Sequence, residues 1–277
     1  MKIRALTLSA AALAVSLLAA PLVQAQTSVA TDAPTTVSAD SNAEVKNVVL
    51  VHGLYADASS WAKVIPLLQA KGLHVTAVQN PTTSLDADVD AVKRALAMQD
   101  GPTILVAHSY GGMVISQAGD DPKVKGLVYI AARAPDAGED YPALTKKFPA
   151  APASKGLQWS ADGYGLLSQD AFLNDFGGDL PKREAMVYFA VQQPMGKAIT
   201  MAKTTVAAWR DKPDWYAVST EDRTINPDLE RFMAKRMQAH TIEIKSSHLS
   251  LISHPQTVAN LIEQAAHVPG VAETASK

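Results

Sequence analysis

Ser109 stands in a pattern that can turn a serine hydroxyl into a nucleophile. Residues 103–107 (TILVA) are mostly strand formers, and they run directly into the segment 108–112 (HSYGG), after which a helical pattern begins. A sharp strand–turn–helix of this kind strains the serine backbone, exposes the hydroxyl and requires small neighbours. Ala107 stands where the usual G-x-S-x-G motif has its first glycine, and it is still small. The pattern predicts Ser109 as a nucleophile, and the alternative is an ordinary helix N-cap.

A nucleophilic serine needs a base at neutral pH, and the base needs an acidic partner that fixes its tautomer. Where a serine at a strand–turn–helix elbow of this kind is the nucleophile, the acid and then the base follow it in the chain, each on a loop beyond the end of a strand. Asp222 follows the predicted strand 215–220, and His248 follows the predicted strand 241–245. The sequence therefore predicts Asp222 as the acid and His248 as the base.

Both roles have alternatives. Glu221 shares the loop of the predicted acid and stays open as a second candidate. His254 directly precedes a proline that begins a helix, which favours a role in local structure. His240 closes a helix rich in lysine and arginine, where a positive charge interacts favourably with the helix dipole.

The elements that must position these residues alternate along the chain. Short valine-rich runs predict strands that are buried on both faces of a sheet. Before residue 133 the predicted strands are 47–52, 73–79, 103–107 and 124–131, and the predicted helices are 61–71 (capped by Ser59 or Ser60), 86–99 and 112–118. After residue 211 the strands are 215–220 and 241–245, and the helices are 227–238 and 255–266.

The alternation stops between about residues 133 and 211, where the chain is rich in proline, glycine, alanine and aromatic residues. Helix-like pieces remain near residues 169–176 and 182–193. Strand–helix alternation on both sides of an insert predicts an α/β protein with a doubly wound, mostly parallel sheet of about six strands. The insert is predicted to be a helical cap after the fourth strand, within one domain over residues 45–277.

Taken together, the motifs resemble those of the α/β-hydrolases. The similarity is to the compact esterase group that includes plant methyl-ester esterases and hydroxynitrile lyases. The matching motifs keep that group's order and approximate spacing between residues 47 and 267: VHGL at 51–54 with SW at 60–61, HSYGG at 108–112, DRTI at 222–225 and SH at 247–248. The set is much more specific than any one of its motifs.

The resemblance implies a catalytic triad and an oxyanion hole. The triad would be Ser109, His248 and Asp222. The oxyanion hole would be formed by the backbone N–H groups of Leu54 and Tyr110, and the positive ends of nearby helices would strengthen it. In this group the histidines that flank the site are usually structural, which here would be His52 and His108.

The implied activity is cleavage of a carboxylic ester through an acyl-enzyme. Three alternatives use the same fold: a lyase, a cofactor-free perhydrolase and a non-enzymatic ligand receptor. Hydroxynitrile lyases of this group typically carry a lysine after the triad histidine and a threonine in place of the glycine. This chain has Leu249 and Gly53 at those positions, and both differences speak against a lyase.

The insert would supply the substrate pocket. Seven of its aromatic residues are predicted to form mostly cap core: Trp159, Tyr164, Phe172, Phe176, Tyr188, Phe189 and Trp209. Trp159, Phe172 and Tyr188 are the candidates for the pocket wall. Because the insert has no cluster of charges of one sign, a small to medium uncharged ester fits best.

Composition narrows the remaining classes. The net charge is −2, from 25 basic and 27 acidic residues, and no basic patch predicts nucleic-acid binding. The chain has no cysteine, which excludes disulfides, thiolate catalysis and cysteine-ligated metals. Residues 86–90 (DADVD) resemble the start of a calcium loop, but Ala91 replaces the required glycine and Ala97 the required glutamate. We therefore expect the acidic first turn of a helix there, and no metal or cofactor in the protein.

The N-terminus predicts export. Lys2 and Arg4 precede a mostly apolar stretch over residues 5–20, and Ala25 ends a small-x-small cleavage site. A membrane anchor is the alternative, but the stretch is short for a full span and Pro21 interrupts it. We predict a signal peptide over residues 1–25, cleavage after Ala25, a flexible leader over residues 26–44, and a periplasmic or secreted location without a stable membrane span.

Overall fold

A computed structural model describes residues 45–267 of the chain. This part contains nine strands, numbered in chain order: β1 (Asn47–Val51), β2 (His74–Val78), β3 (Thr103–His108), β4 (Val124–Ile130), β5 (Leu157–Trp159), β6 (Tyr164–Leu167), β7 (Met195–Gly196), β8 (Asp214–Ser219) and β9 (His240–Ile244). Its helices are α1 (Ile65–Gln69), α2 (Leu85–Ala97), α3 (Gly111–Ala118), α4 (Tyr141–Thr145), α5 (Gln169–Ala171), α6 (Lys182–Ala190), α7 (Pro227–Met237), α8 (Ser250–Ser253) and α9 (Pro255–Ala266).

Six strands form one parallel sheet in the order β2-β1-β3-β4-β8-β9. Strands β1, β3 and β8 are buried along their whole length, as their apolar runs require when helices cover both faces. Helix α2 packs with α3, and α1 packs with α9. The predicted six-stranded α/β fold is confirmed.

The direction of the chain across the sheet reverses at β1. The chain first moves outward to β2 and then crosses back to β3, and right-handed crossovers place the two connecting helices on opposite faces. Val51 pairs with Ala107, so the carboxyl ends of β1 and β3 lie side by side. In open α/β sheets such a switch point leaves a crevice beyond the strand ends, where ligands bind.

The cap between β4 and β8 contains more than helices. Strands β5, β6 and β7 form a small antiparallel sheet beside α4, α5 and α6. The sequence did not predict this sheet because its strands have only three, four and two residues, too few for an alternating pattern. Gly163 makes the tight turn between β5 and β6 with a φ of 85°.

The first predicted helix also differs in detail. The predicted cap was Ser59 or Ser60, but the cap is Asp57, whose side chain accepts from the Ser59 N–H at 2.8 Å. A 3₁₀ turn at Ala58–Trp61 follows it. The α-helix starts only at Ile65, with Pro66 in its first turn, where a missing N–H costs nothing. The predicted signal peptide and leader lie outside the described residues. Within residues 45–267, no helix is long and apolar enough to cross a membrane.

Candidate active site

Ser109 occupies the strained turn between β3 and α3. Its φ is 54°, in the left-handed region that a serine adopts only under constraint. Its N–H donates to the carbonyl of Ile130 at 3.1 Å, and its own carbonyl accepts from Gly112 at 3.0 Å and from Arg133 at 2.9 Å. The end of β4 therefore holds the turn in the strained conformation.

The two glycines after the serine are required by close backbone contacts. A Cβ on Gly111 would lie 2.9 Å from the carbonyl oxygen of His52, and a Cβ on Gly112 would lie 2.2 Å from that of Arg133. Both distances are shorter than real Cβ contacts. The predicted need for small neighbours around Ser109 thus has its cause in the loops that follow β1 and β4.

Asp222 and His248 are joined by a hydrogen bond in the buried interior. His248 Nδ1 contacts Asp222 Oδ2, and both side chains are completely shielded from solvent. Because a carboxylate can only accept, Nδ1 donates the proton of this bond, and Nε2 is the ring nitrogen left to act as a base. Nε2 is buried and has no hydrogen-bond partner within residues 45–267. The pair is arranged as a base and its orienting acid.

The loop around Asp222 fixes the direction of the carboxylate. Its Oδ1 accepts the backbone N–H groups of Thr224 at 2.6 Å and Ile225 at 2.9 Å. Aspartate commonly bonds the backbone two or three residues ahead in such turns. With Oδ1 occupied in this way, Oδ2 points at His248.

His108 connects the serine turn to the histidine loop. Its Nε2 lies 3.0 Å from the carbonyl oxygen of His248, and the two rings are 4.6 Å apart between centroids. Burial, together with the nearby His248, holds the pKa of His108 well below its ordinary value, so the ring is neutral and Nε2 is its donor. His52 is also buried, and its Nδ1 lies 2.8 Å from the carbonyl oxygen of Gly53. Both histidines thus bond backbone around the site.

The alternative acid and bases lie elsewhere. Glu221 has a side chain that is 54% exposed and faces Lys245 at 3.7 Å. His254 bonds Ser253 at 2.8 Å beside α9. His240 begins β9, where it stacks on a tryptophan at the opposite edge of the sheet, and so it does not end the preceding helix as predicted.

The two predicted oxyanion donors lie where β1 and β3 end. Within the described part of the chain, the N–H groups of Leu54 and Tyr110 donate to no backbone or side-chain acceptor. The Tyr110 side chain is directed away, because its hydroxyl donates to Asp88 Oδ2 at 2.8 Å. Asp88 also accepts the Thr82 N–H at 2.7 Å, and burial raises its pKa to about 6. Asp88, in the acidic first turn of α2, therefore anchors the residue that follows the serine.

An apolar cavity lies beside His248. The space there that can hold a water-sized group is only about 10 Å³, and it is lined by Tyr55, Ala56, Asp57, Ser60, Phe172, Phe176, Tyr188, Val191, Leu249 and Ile252. The Phe176 ring lies 5.1 Å from the His248 ring and 6.1 Å from Tyr55. Pockets for drug-sized ligands usually measure roughly 300–1,000 Å³, so this cavity is nearly closed.

Of the three aromatic candidates for the pocket wall, Phe172 and Tyr188 line this cavity and Trp159 does not. Trp159 lies on β5, an edge strand of the cap sheet, where it is 42% exposed and borders an open groove with Tyr164. Tyr55 also lines the cavity, which the sequence did not predict. Its position directly after Leu54, in the loop of the predicted oxyanion donor, would have indicated it. Within residues 45–267, no group of three or more metal-ligating side chains occurs.

Comparison with known proteins agrees with this architecture. The model of the alpha/beta hydrolase family matches residues 48–261. Methylesterase 2 of Arabidopsis thaliana is 25% identical over 246 residues, covering 78% of this chain and 94% of that protein. Pyrethroid hydrolase of Sphingobium wenxiniae is 26% identical over 267 residues, covering 84% of this chain and 92% of that protein.

A solved structure shares the fold. That of polyneuridine aldehyde esterase superposes with a TM-score of 0.70 at 20% identity, covering 80% of this chain and 100% of that one. The predicted resemblance to compact esterases of this fold is confirmed, and the names of these relatives support the predicted enzyme class. Because the family model spans most of the chain and the sheet has the expected topology, the chain belongs to the α/β hydrolase family.

Proposed function

We propose that the protein hydrolyses carboxylic esters with Ser109 as nucleophile, His248 as base and Asp222 as the acid that orients it. The observation that carries this proposal is the buried Asp222–His248 hydrogen bond, which leaves His248 Nε2 unpaired among the described residues. His108, the residue before Ser109, bonds the His248 backbone, so the nucleophile and the base share one small region. The name of the Arabidopsis relative, a methylesterase, supports an ester as substrate.

The proposed reaction has two halves. His248 Nε2 takes the proton from Ser109 Oγ as that oxygen bonds to the carbonyl carbon, and the N–H groups of Leu54 and Tyr110 bind the oxyanion that forms. His248 then returns the proton to the leaving alcohol, and an acyl-enzyme remains. In the second half, His248 takes a proton from a water molecule as the water oxygen attacks the acyl-enzyme carbonyl carbon. The proton then returns to Ser109 Oγ, and the carboxylic acid is released.

The cavity supports a small, uncharged group on the substrate. Its wall is built mainly from aromatic and aliphatic side chains, and three of its four aromatic members, Phe172, Phe176 and Tyr188, come from the cap. A wall of this kind selects the acyl or alcohol group of the substrate by apolar contact and not by charge. We therefore propose esters whose acyl or alcohol part is short to medium in length.

The direct test is Ser109→Ala, assayed on a series of p-nitrophenyl esters of increasing acyl length. Loss of a triad nucleophile lowers kcat by about 10⁶-fold, and circular dichroism should show an intact fold. The matched control is Ser154→Ala, an exposed cap serine whose hydroxyl bonds only the nearby Ala151 carbonyl. A fluorophosphonate probe should label wild type on the peptide that contains Ser109. A folded Ser109→Ala protein with a tenth of the wild-type rate would refute the assignment.

We also propose export with cleavage after Ala25, on the sequence pattern alone. Intact mass and N-terminal sequencing of protein from the periplasmic and culture fractions would test it. A mature chain that begins at Gln26 is the expected result, and a chain that keeps residues 1–25 would contradict it.

A further inference from the structure

A second carboxyl group lies in the interior beside the proposed acid. Glu230, on α7, is completely buried. Its Oε2 accepts the backbone N–H of Ser219, the last residue of β8, at 3.0 Å. Its Oε1 is also buried, and within residues 45–267 it receives no hydrogen bond. Burying an ionised carboxylate whose oxygen has no hydrogen-bond donor costs much free energy, so Glu230 needs either a partner or a proton.

The hydrogen bonds around Asp222 leave room for such a partner. A carboxylate offers about four acceptor positions. Three are used by described donors, which are the N–H groups of Thr224 and Ile225 and the ring N–H of His248. Glu230 lies close to the same carboxylate, because Ser219, whose N–H it accepts, also accepts the Asp222 N–H at its carbonyl at 3.2 Å. One acceptor position on Asp222 is therefore open to the unpaired oxygen of the neighbouring Glu230.

Two carboxyl groups in contact share a single negative charge, because two ionised groups would repel. The proton belongs on Glu230. Asp222 receives three N–H donors, all of which favour its charged form, whereas Glu230 receives one. Burial first, and then the charge of Asp222, raises the pKa of Glu230 well above its usual value.

We propose that Glu230 is a positioning residue of the active site, a neutral carboxyl that accepts the Ser219 N–H and donates its own proton to the Asp222 carboxylate. This inference rests on the proposed function, in which Asp222 orients the base. Glu230 ties the end of β8 to the loop that carries Asp222, and so fixes the distance from Asp222 to His248 from behind. The substrate does not touch it.

The other charged and titratable groups around Glu230 leave this assignment intact. Tyr216 on β8 and Tyr141 on α4 face it, and burial raises the pKa of each well above its usual value, so both remain neutral. Arg231 is the nearest positive charge, but its guanidinium bonds Glu243 at 2.7 Å and Asp228 at 2.9 Å on the outer side of α7. Glu230 is therefore the carboxyl in this cluster that holds a proton and can lose it as pH rises.

The test compares Glu230→Leu with Glu230→Gln. Leucine removes both hydrogen bonds, and kcat should fall by roughly 10- to 100-fold, the scale of a misplaced catalytic group, while KM changes little. Glutamine can make both bonds, with its carbonyl toward Ser219 and its amide toward Asp222, and should recover most of the loss. Asp228→Asn, on the exposed side of the same helix, is the control for removal of a carboxyl.

The pH profile separates positioning from packing. Wild type should lose kcat as pH rises through the range in which Glu230 ionises, because the ionised group gives up its donated bond and places a second negative charge against Asp222. Glu230→Gln cannot ionise, so its alkaline limb should extend further. Coincident alkaline limbs, or wild-type kcat in Glu230→Leu, would overturn the inference. Ser109→Ala is run in parallel: if it is inactive the proposed function stands regardless of Glu230, and if it is active the proposed function itself fails.

Discussion

A Cβ atom on Gly53 would lie 2.6 Å from the Cβ of Ser109 and 3.1 Å from His108 Nδ1. The loop after β1 and the serine turn after β3 therefore touch with no side chain between them. Leu54, the next residue, carries one of the two N–H groups assigned to the oxyanion. The spacing between the proposed nucleophile and the proposed oxyanion donor thus depends on a glycine at residue 53.

This contact predicts the effect of Gly53→Ala. The added methyl group must push the loop away from Ser109, which moves the Leu54 N–H out of reach of the oxyanion. We expect kcat to fall by about 10²- to 10³-fold, the cost of losing one such donor, with a smaller change in KM.

The matched control is Gly101→Ala, because the nearest atom to a Cβ there is 3.9 Å away. Steady-state kinetics on one activated ester suffices. Equal kcat values for the two alanine variants would show that the Leu54 N–H does not bind the oxyanion.

The choice between the two acids is tested by Asp222→Asn and Glu221→Gln. Asparagine keeps the shape of the side chain but removes the charge that stabilises the imidazolium and can select the wrong tautomer of His248. The expected loss in kcat is roughly 10³- to 10⁴-fold. Glu221→Gln should change kcat only a few-fold, since that side chain faces Lys245 at the surface. The reverse ranking would make Glu221 the acid.

The sequence predicted the sheet and the order of the site residues for physical reasons. Apolar runs such as those of β1 and β3 can be recognised because both faces of these strands are buried and no polar residue interrupts the runs. The loops that carry Asp222 and His248 were found because parallel strands deliver their carboxyl ends to one edge.

Contacts between distant segments could not be predicted. Glu230 looked like one more charged residue in an amphipathic helix, since nothing local reveals that α7 turns it toward Asp222. Trp159 and Phe172 are both aromatic residues of the insert, yet Trp159 is exposed and Phe172 is buried. The difference depends on where their elements lie in the folded cap, which the local sequence does not reveal. The cap sheet itself depends on pairings between segments as far apart as Tyr164 and Gly196.

The cavity predicts which cap residues select the substrate. Phe172→Ala and Tyr188→Ala each remove part of the wall, so each should change the ratio of kcat/KM between short and long esters by about 1–3 kcal/mol. Trp159→Ala is the matched control, because that aromatic lies in the open groove of the cap sheet. If Trp159→Ala alone altered the ratio, the substrate would bind along that groove and not in the cavity.

The final prediction concerns stability and Asp214, which begins β8 at the sheet edge away from Ser109. Its side chain is buried, and its Oδ1 has no hydrogen-bond partner within the described residues. Burial raises the pKa of Asp214 to about 7, against about 3.9 in an unfolded chain. Between those two values the folded protein holds a proton that the unfolded chain has lost. Stability must therefore fall as pH rises from about 4 to 7, by roughly 4 kcal/mol from this group, and level off above that.

Asp214→Asn removes the titration, so the free energy of unfolding of the variant should gain on wild type as pH rises from 4 to 7. Urea unfolding at about pH 4.5, 6 and 8 measures this difference. Asp88 and Glu230, whose pKa values are also raised, contribute to the slope of both proteins and cancel in the comparison. Asp211→Asn, an exposed neighbour just before β8, is the control and should follow wild type.

At fixed pH kcat should not change in Asp214→Asn, because the residue lies at the opposite end of the strand from the Asp222 loop. Parallel curves for Asp214→Asn and wild type would mean that Asp214 is ionised in the folded protein and is stabilised by a partner.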